Sequence, residues 1–409
     1  MIKLGHGFLF LIMFLLILAA PQLYLFRQLQ SYLKERIDDV SLVKKLSFVL
    51  AGFFIVMQLP AAWRAFFGSS LIYPNFPLIR GFFTAASIWT MGSIGSAAVL
   101  LVYNLFKRFY PLSGSPVALT PDPARRKFLR KGVGMAAAAP FMVSGYGALL
   151  ERHRFEVDHF AIPVPGLSSQ LSNLTVVHLT DIHVGPFMPA EELLEYVEAV
   201  NRLAPDLIAL TGDFVTSSES EVGPCVEALA GLKARYGVFA CIGNHDIFSR
   251  SADKLEQLFA EQGIQTLRNN AANIPIASSN LSVLGIDDIR WGRPDLARAL
   301  SRCAREPGEV KILLSHRPEI FPEAAKADMD LVLSGHYHGG QVKLGPSARS
   351  LSVARLMTPY AEGLFRLARP GQGASKTAHL FVSRGVGITG LPIRVNCPPQ
   401  IAHLRLIKA

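Results

Sequence analysis

The chain has 409 residues, long enough for more than one domain, and a formal net charge of +10 at pH 7. Residues 1–154 hold 17 Lys and Arg against 5 Asp and Glu (+12), whereas the remainder holds 24 against 26 (−2). A C-terminal part of nearly balanced charge lacks the basic surface of a nucleic-acid-binding protein, which excludes that class of partner. The four cysteines form no CxxC pair, which favours unpaired thiols and leaves one disulfide open only for an exported domain.

Three N-terminal segments contain no Asp, Glu, Lys or Arg, namely 4–26, 46–63 and 81–106. Each is long enough to cross about 30 Å of hydrocarbon as a helix. A fourth segment, 132–150, is less apolar and rich in Ala and Gly. We therefore predict a helical membrane region of three spans over 1–108, followed by a fourth membrane segment or signal anchor over 132–150.

The basic residues of the short loops predict the orientation. Loops 27–45 and 107–131 carry most of the Lys and Arg, so both are expected in the cytoplasm. If the fourth segment spans, the C-terminal domain lies on the extracytoplasmic face of the cytoplasmic (inner) membrane. If it does not span, the domain stays in the cytoplasm. The stretch Arg125-Arg126-Lys127-Phe128-Leu129-Arg130-Lys131 resembles a twin-arginine export signal, although an ordinary basic flank would look similar.

The soluble part begins after two linkers, which we predict over 109–131 (cytoplasmic) and 151–172. In the domain 173–409, short apolar strands alternate with helical stretches, a pattern typical of α/β layers. The predicted strands are 174–179, 206–210, 238–242, 282–286, 310–314, 331–333, 379–383 and 401–406, and the predicted helices are 190–203, 221–234, 251–262, 294–305 and 319–326.

Polar side chains follow five of these strands, at the carboxyl ends where open α/β sheets bind ligands. In the segment 334–341 two histidines alternate, and alternate residues of an extended chain point the same way. His336 and His338 are therefore expected to converge. The candidate metal ligands at the five strand ends are Asp181, His183, Asp213, Asn244, His316, His336 and His338.

These candidate ligands offer oxygen and imidazole nitrogen but no thiolate, a set that suits Mn, Fe or Zn. Seven ligands are too many for one tetrahedral ion, and they suit two divalent ions bridged by one carboxylate. Two ions about 3.5–4 Å apart can hold a bridging hydroxide and neutralise phosphate oxygens. The sequence thus predicts in-line attack of this hydroxide on phosphorus.

Asp-x-His, Gly-Asp, Gly-Asn-His-Asp, a lone His and Gly-His-x-His follow one another over residues 181–338 and resemble the calcineurin-like metallophosphoesterase family. The resemblance implies a metal-dependent phosphoric ester hydrolase built as a layered sandwich of two mixed sheets flanked by helices. It also implies that His245 assists the leaving group as general acid or electrostatic stabiliser, with Asp246 orienting it. The implied ligands are Asp181, His183, Asp213 and His338 for a first metal, with Asp213 bridging to a second that is completed by Asn244, His316 and His336.

A closer likeness extends further along the chain. The segments 334–341, 381–387 and 392–394 resemble the membrane-associated branch of predicted phosphohydrolases. Some members of that branch act on lipid or cell-envelope substrates, including UDP-diacylglucosamine in lipid A synthesis. The resemblance implies a membrane-anchored enzyme that cleaves a phosphoester or pyrophosphate bond, with a lipid-linked or envelope substrate. The alternatives are a UDP-2,3-diacylglucosamine pyrophosphate hydrolase on the cytoplasmic side, and a non-catalytic membrane scaffold.

Several further polar residues are expected to be structural. His178, His379 and His403 lie within predicted strands and are interpreted as core histidines. His159 falls in the second linker and is expected in solvent. Arg384 follows a strand, where it is expected to brace a loop more readily than to bind phosphate.

Overall fold

The computed structural model of the protein describes residues 2–67, 77–109, 123–304, 306, 308–369 and 377–409. The described chain divides into a helical unit that ends at Leu150 and an α/β unit that begins at Glu151. Residues 110–122 of the first predicted linker lie outside the described residues.

The helical unit is built from long helices. They are α1 (Ile2–Lys34), α2 (Val40–Phe67), α3 (Pro77–Phe109) and α4 (Pro123–Leu149). Among the described residues, three stretches are long and apolar enough to cross a membrane, and they are Val40–Trp63, Pro77–Phe109 and Lys127–His153. The predicted segments 46–63, 81–106 and 132–150 each fall within one of these stretches.

Helix α4 begins earlier than the sequence suggested. Its first residue is Pro123, so the last part of the predicted linker 109–131 is helical. Proline is favoured at the first helical position, because it needs no hydrogen-bond partner there and its φ already suits a helix. The motif with the paired arginines therefore lies in the first turns of α4.

Small residues let α3 and α4 pack closely. A Cβ on Gly92 would lie 2.2 Å from Phe141 Cδ1, and one on Gly95 would lie 2.6 Å from Pro140 Cβ. Small-residue contacts of this kind are how helices associate in an apolar solvent. Trp89 of α3 also packs against Phe141 of α4, with the two ring centroids 5.3 Å apart.

The α/β unit contains twelve strands among its described residues. The strands are β1 (Glu156–Val164), β2 (Thr175–Leu179), β3 (Leu207–Thr211), β4 (Val238–Cys241), β5 (Ile264–Thr266), β6 (Asn270–Ile276), β7 (Ser279–Gly285), β8 (Val310–Leu314), β9 (Leu331–Ser334), β10 (Gly363–Ala368), β11 (Thr377–Val382) and β12 (Gln400–Lys408).

The strands form two six-stranded mixed sheets, ordered β1-β12-β2-β3-β4-β5 and β10-β11-β9-β8-β7-β6. In the first sheet β2 to β5 run parallel, while β12 is antiparallel to β2. In the second sheet β7, β8, β9 and β11 run parallel, with antiparallel β6 and β10 at the edges. Both sheets therefore present several strand carboxyl ends at one edge.

Buried apolar side chains join the layers. Val176 and Phe239 of the first sheet share one core with Ile312, Leu333 and Phe381 of the second. The outer faces of the sheets are covered by helices, and burial of these apolar faces is the main stabilising contribution to the sandwich. The helices of this unit are α5 (Ala190–Arg202), α6 (Val222–Leu229), α7 (Asn244–Phe248), α8 (Ala252–Glu261), α9 (Leu296–Ser301), α10 (Phe321–Lys326) and α11 (Val353–Met357).

This architecture confirms the predicted fold class, a sandwich of two mixed sheets flanked by helices. The prediction of a linker over 151–172 was wrong for residues 156–164, which form β1 and pair in parallel with β12. An edge strand keeps polar side chains such as Asp158 and His159, so its sequence resembles a linker. The strands β5, β6 and β10 were also not predicted, because they are short or lie at sheet edges.

Candidate metal centre

The loop after β2 meets the loop after β9 at Asp181. The backbone N–H of His336 lies 3.0 Å from both carboxylate oxygens of Asp181, to which it donates a hydrogen bond. Only glycine fits at position 335, because a Cβ on Gly335 would lie 2.1 Å from Asp181 Oδ2. This close approach brings a strand end of the first sheet against a strand end of the second.

The first ligand cluster consists of Asp181, His183 and His338, all of which are buried. His338 Nε2 lies 3.3 Å from Asp181 Oδ1 and 3.1 Å from His183 Nε2. The two imidazole rings are nearly parallel, with an interplanar angle of 22°. One carboxylate oxygen and two ring nitrogens thus converge on one point.

The second ligand cluster consists of Asp213, His316 and His336. His316 Nε2 lies 3.1 Å from Asp213 Oδ2 and 3.2 Å from His336 Nδ1. The other ring nitrogen of His316, Nδ1, donates to the carbonyl of Thr211 at 2.8 Å, which fixes the orientation of the ring. Asp213 Oδ2 is also 3.6 Å from His183 Nε2, so Asp213 lies between the two clusters.

Asn244 reaches the second cluster through Arg317. Asn244 is the first residue of α7, and its Oδ1 accepts a hydrogen bond from Arg317 Nη2 at 2.9 Å. The same guanidinium contacts His336 Nε2 through Nη1, and its Nε donates to Asp288 at 2.9 Å. The structure therefore brings together all seven predicted ligands, with Arg317 between two of them.

His245 lies beside the clusters and is partly exposed. Its ring is 4.7 Å from that of His183 between centroids, in an edge-to-face contact. Its Nδ1 donates to the carbonyl of Thr216 at 2.7 Å, and its backbone N–H donates to Asp213 Oδ1 at 2.8 Å. The ring is thus held with Nε2 as the nitrogen available to a ligand.

The predicted contact between Asp246 and the His245 ring is wrong, because the Asp246 carboxylate binds backbone amides instead. Its oxygens accept hydrogen bonds from the N–H groups of Asp213 and Gly243 at 2.9 Å and of Phe214 at 2.8 Å. Asp246 therefore fixes the loop that carries Asp213, and the Thr216 carbonyl orients His245.

Five candidate ligands have left-handed backbone conformations, which non-glycine residues seldom adopt. The φ angles are 54° for Asp181, 52° for His183, 53° for Asp213, 72° for His336 and 50° for His338. The predicted extended conformation of the two alternating histidines is therefore wrong, since they occupy a turn and face different clusters. Strained residues of this kind concentrate at functional sites.

Burial controls ionisation in the first cluster. Burial lowers the pKa of His183 to about 3, and it lowers the pKa of His338 well below the ordinary value. Burial also raises the pKa of Asp181 to about 6, against the opposing attraction of His316. The two histidines are therefore neutral at pH 7, which is the state that binds a metal.

Charge controls ionisation in the second cluster. Burial disfavours the charged forms of Asp213 and His316, but the two groups stabilise each other as an ion pair. The pKa of His316 rises to about 10 because of the carboxylates of Asp213 and Asp181. The pKa of Asp213 falls well below its usual range because of His316 and His245. His316 is thus protonated at pH 7 in this structure.

Sequence reasoning did not assign Arg317 and Arg394 to the centre. Arg394 is fully buried, and its Nη2 lies 3.4 Å from His338 Nδ1 while donating to the carbonyl oxygens of nearby loop residues. Arg317 directly follows the candidate ligand His316 in the sequence, and its partner Asp288 belongs to the Asp-Asp pair after β7. The position next to His316 was the available signal for Arg317, whereas the burial of Arg394 has no signature in the sequence.

Most of the residues predicted to be structural have the surroundings that were expected, and His403 is the exception. His178 is buried, and its Nε2 lies 2.7 Å from Thr211 Oγ1, while His379 is buried without a hydrogen bond to either ring nitrogen among the described residues. His403 is only partly buried, because it pairs with His159 across β1 and β12 at 2.9 Å between the Nδ1 atoms. Arg384 braces the loop, donating to Asp158 and to the carbonyl of Pro398.

The two clusters fit divalent metal ions. Their ligand atoms are carboxylate oxygens and imidazole nitrogens that lie within 4.8 Å of one another in each group. Lone pairs that converge in a buried site repel each other unless a cation or proton lies between them. A hard or borderline divalent ion satisfies all of them at once.

Comparison with known proteins agrees with this chemistry. Residues 174–340 match the family model described as calcineurin-like phosphoesterase. A transmembrane protein with metallophosphoesterase domain from Danio rerio is 33% identical over 276 residues, which are 64% of this chain and 60% of that protein. This chain therefore spans less than two thirds of that relative.

Two bacterial relatives match over nearly their whole length. The uncharacterized metallophosphoesterase YkuE of Bacillus subtilis is 28% identical over 289 residues, 69% of this chain and 97% of that protein. An uncharacterized metallophosphoesterase of Helicobacter pylori strain J99 is 27% identical over 407 residues, 97% of this chain and 98% of that protein. The resemblance of the motifs to the calcineurin-like metallophosphoesterase family, whose members are metal-dependent phosphoester hydrolases, is thereby confirmed over residues 174–340.

Proposed function

We propose that this protein is a membrane-anchored, dinuclear metal-dependent phosphohydrolase that cleaves a phosphoester or pyrophosphate bond. The observation that carries the proposal is the position of Asp213. Its carboxylate lies 3.1 Å from His316 and 3.6 Å from His183, so one oxygen can serve both ligand clusters. A carboxylate shared in this way is what a pair of metal ions requires.

Each cluster would hold one ion, and the ions are Mn, Fe or Zn. Bound there, the two metals would lower the pKa of a water and neutralise the charge of the phosphate oxygens. The first ion would be held by Asp181, His183, Asp213 and His338, and the second by Asp213, Asn244, His316 and His336.

His245 is proposed to assist the leaving group. Because its Nδ1 donates to the carbonyl of Thr216, its Nε2 can exchange a proton with a substrate. In hydrolysis the water oxygen adds to phosphorus and the bond from phosphorus to the leaving oxygen breaks. That oxygen takes a proton, and His245 Nε2 is positioned to supply it. Asp246 supports the step indirectly, by fixing the loop of Asp213.

The test uses the full chain purified in detergent. The wild type is assayed with added Mn, Fe or Zn on phosphomonoester, phosphodiester and pyrophosphate substrates, and bound metal is counted by elemental analysis. We expect two metal equivalents and turnover of at least one substrate class. A protein that binds metal but hydrolyses none of them would be the non-catalytic scaffold, and full activity in Asp213→Ala would contradict the proposed centre.

The anchor suggests where the substrate lies. In the described part of the chain, three stretches are long and apolar enough to cross a membrane, and each begins before the α/β unit. The Helicobacter pylori relative aligns through both units. An enzyme anchored in this way acts near the bilayer surface, which favours a lipid-linked or cell-envelope phosphoester. We place the α/β unit on the extracytoplasmic face of the inner membrane, with the paired arginines of α4 as an export signal or a basic cytoplasmic flank.

Fusions after residue 155 test the orientation. Alkaline phosphatase is active only outside the cytoplasm, and green fluorescent protein is bright in the cytoplasm. We expect active phosphatase fusions and dark fluorescent fusions. The opposite pattern would place the α/β unit in the cytoplasm, where a nucleotide-activated glycolipid such as UDP-2,3-diacylglucosamine becomes the favoured substrate.

A further inference from the structure

A cleft of about 440 Å³ opens at the C-terminal end of α7, the helix that begins with Asn244 and His245. It is lined by residues that follow α7, β5 and β7, among them Arg250, Arg268, Trp291 and Arg293. None of these residues is a candidate metal ligand. The cleft therefore has no part in the chemistry derived above.

Two exposed aromatic rings connect the cleft to His245. The ring of Phe248 lies 6.0 Å from that of His245 and 4.6 Å from that of Trp291, the latter in an edge-to-face contact. Phe248 is 44% exposed and Trp291 is 55% exposed. Phe248 and Trp291 therefore form an exposed apolar wall next to His245, the residue proposed to protonate the leaving oxygen. The leaving group of the substrate can pack against this wall.

The cleft also holds cations without partners. Arg268 is neutralised, since it donates to Asp253 at 2.8 Å and to Asp287 at 3.4 Å. Arg250 and Arg293 are exposed and form no side-chain hydrogen bond or ion pair with any residue the structure describes. A planar guanidinium recognises a carboxylate or phosphate through two parallel hydrogen bonds.

The loop that presents Trp291 and Arg293 is fixed in place. Asp288 Oδ1 accepts from the backbone N–H of Trp291 at 2.8 Å, and Asp287 Oδ2 accepts from that of Arg293 at 3.0 Å. The second oxygen of Asp288 accepts from Arg317, which contacts Asn244 and His336. One carboxylate therefore joins the cleft to the second cluster, and the cleft is preformed beside that cluster.

We propose that this cleft is the leaving-group subsite, and that it takes a leaving group with both a planar ring and a negative charge, of the kind found in a nucleoside phosphate. The ring would pack on Trp291 and Phe248, and the anion would pair with Arg250 and Arg293. The inference rests on the proposed hydrolase function, which it deepens by naming the class of leaving group.

The first measurement is direct binding. The chain has three tryptophans, of which Trp291 alone lies in the α/β unit, so titration with uridine monophosphate is expected to change its fluorescence. Uridine, without the phosphate, and ribose 5-phosphate, without the ring, are expected to bind at least tenfold more weakly. Equal binding of all three compounds, or of none, would overturn the proposal.

The second measurement is competition. A substrate without a ring is used (glycerol 2-phosphate, a glycerol phosphodiester or pyrophosphate, whichever the wild type hydrolyses fastest), and uridine monophosphate is the inhibitor. Stacking of a base on an aromatic ring is worth about 1–3 kcal/mol, so Trp291→Ala is expected to raise the inhibition constant roughly 5- to 150-fold. Trp291→Phe should restore most of the affinity, and Arg250→Ala with Arg293→Ala should weaken inhibition at least tenfold.

The controls separate the two proposals. Arg349→Ala, at an exposed position outside the cleft, should leave inhibition unchanged. Metal content and the midpoint of thermal unfolding should be the same in every variant as in the wild type, which excludes misfolding. If the wild type hydrolyses no substrate, the proposed function fails. If the wild type hydrolyses the ring-free substrate but uridine monophosphate inhibits the cleft variants as strongly as the wild type, only the subsite proposal fails.

Discussion

The two ligand clusters differ in how they balance charge. In the first cluster the histidines are neutral and the carboxylate of Asp181 is hard to ionise, because burial outweighs the nearby charges. In the second cluster Asp213 and His316 form a buried ion pair, in which the negative charge of the carboxylate neutralises the positive charge of the imidazolium. The first cluster therefore offers lone pairs to a metal directly, whereas the second must first release a proton. The same ligand types thus give two candidate metal sites of different chemistry.

Removal of the shared carboxylate is expected to have the largest effect. Asp213→Asn keeps the shape of the side chain but removes the charge that would bridge both clusters. We expect loss of both metal equivalents by elemental analysis and a fall in kcat/KM on the order of 10³-fold or more. The conservative change Asp295→Asn, at the exposed start of α9, should retain both metals and full activity.

Paired histidine variants test whether the clusters are separate. His338→Ala should remove a metal from the first cluster, and His336→Ala should remove one from the second, each with a loss of activity of roughly 100-fold or more. Metal titration should then show one remaining site in each variant, with different affinities. Loss of both metals in either variant would show that the clusters fold as one unit.

A variant at Arg317 tests whether the residues around the second cluster affect its metal affinity. Arg317→Met leaves Asn244 and His336 without the guanidinium that contacts them, and it leaves Asp288 buried without its partner. Changes to groups that orient ligands typically cost 10- to 100-fold in metal affinity. We expect a loss of that size at the second site and no change at the first, measured with a chelator in competition. A loss confined to the first site would contradict the assignment.

The two clusters should also differ in how their metal affinity depends on pH. Since the pKa of His316 is about 10, a metal must displace its proton at lower pH, and affinity at the second site should rise about tenfold per pH unit toward that value. Burial raises the pKa of Asp181 to about 6, so affinity at the first site should rise up to that pH and then level off. Metal titrations at several pH values between 6 and 10 distinguish the two slopes.

The same ionisation also affects the metal-free protein. His316 has a folded-state pKa above its ordinary value of 6.5, so its contribution to the free energy of unfolding is fully present below 6.5. It is lost as the pH rises through about 10. His316→Gln should remove this part of the pH dependence in metal-free samples, and an unchanged profile would contradict the ion pair with Asp213.

The sequence was sufficient to predict the layers and to identify the polar residues that the structure brings together in the two clusters, because both follow from local patterns. Buried parallel strands such as β2, β3 and β8 are short apolar runs, and the residue after each run lies at the sheet edge where ligands bind. Other features depend on contacts between distant segments. The pairing of β1 with β12 joins residues about 240 positions apart, and it has no local sequence signature.

The errors at the centre have a common cause. An alternating His-Tyr-His was interpreted as an extended chain, but β9 ends at Ser334 and the histidines take left-handed conformations. Asp246 was assigned to His245 because the two are adjacent in sequence, whereas its carboxylate lies against the amides of the loop that carries Asp213. Sequence patterns identify which residues meet, but the backbone conformation of each turn decides which atoms face each other.

The left-handed ligands have a consequence for how the protein tolerates mutation. At Asp181, His183, Asp213, His336 and His338, β-branched side chains should be rejected for folding, while Asn and Gly should be accepted there even though metal binding is lost. A saturation library screened once for expression and once for activity would show this difference. In a relative that had lost its catalytic role, we would therefore expect the Asp and His residues at these positions to be replaced by Asn or Gly and not by β-branched residues.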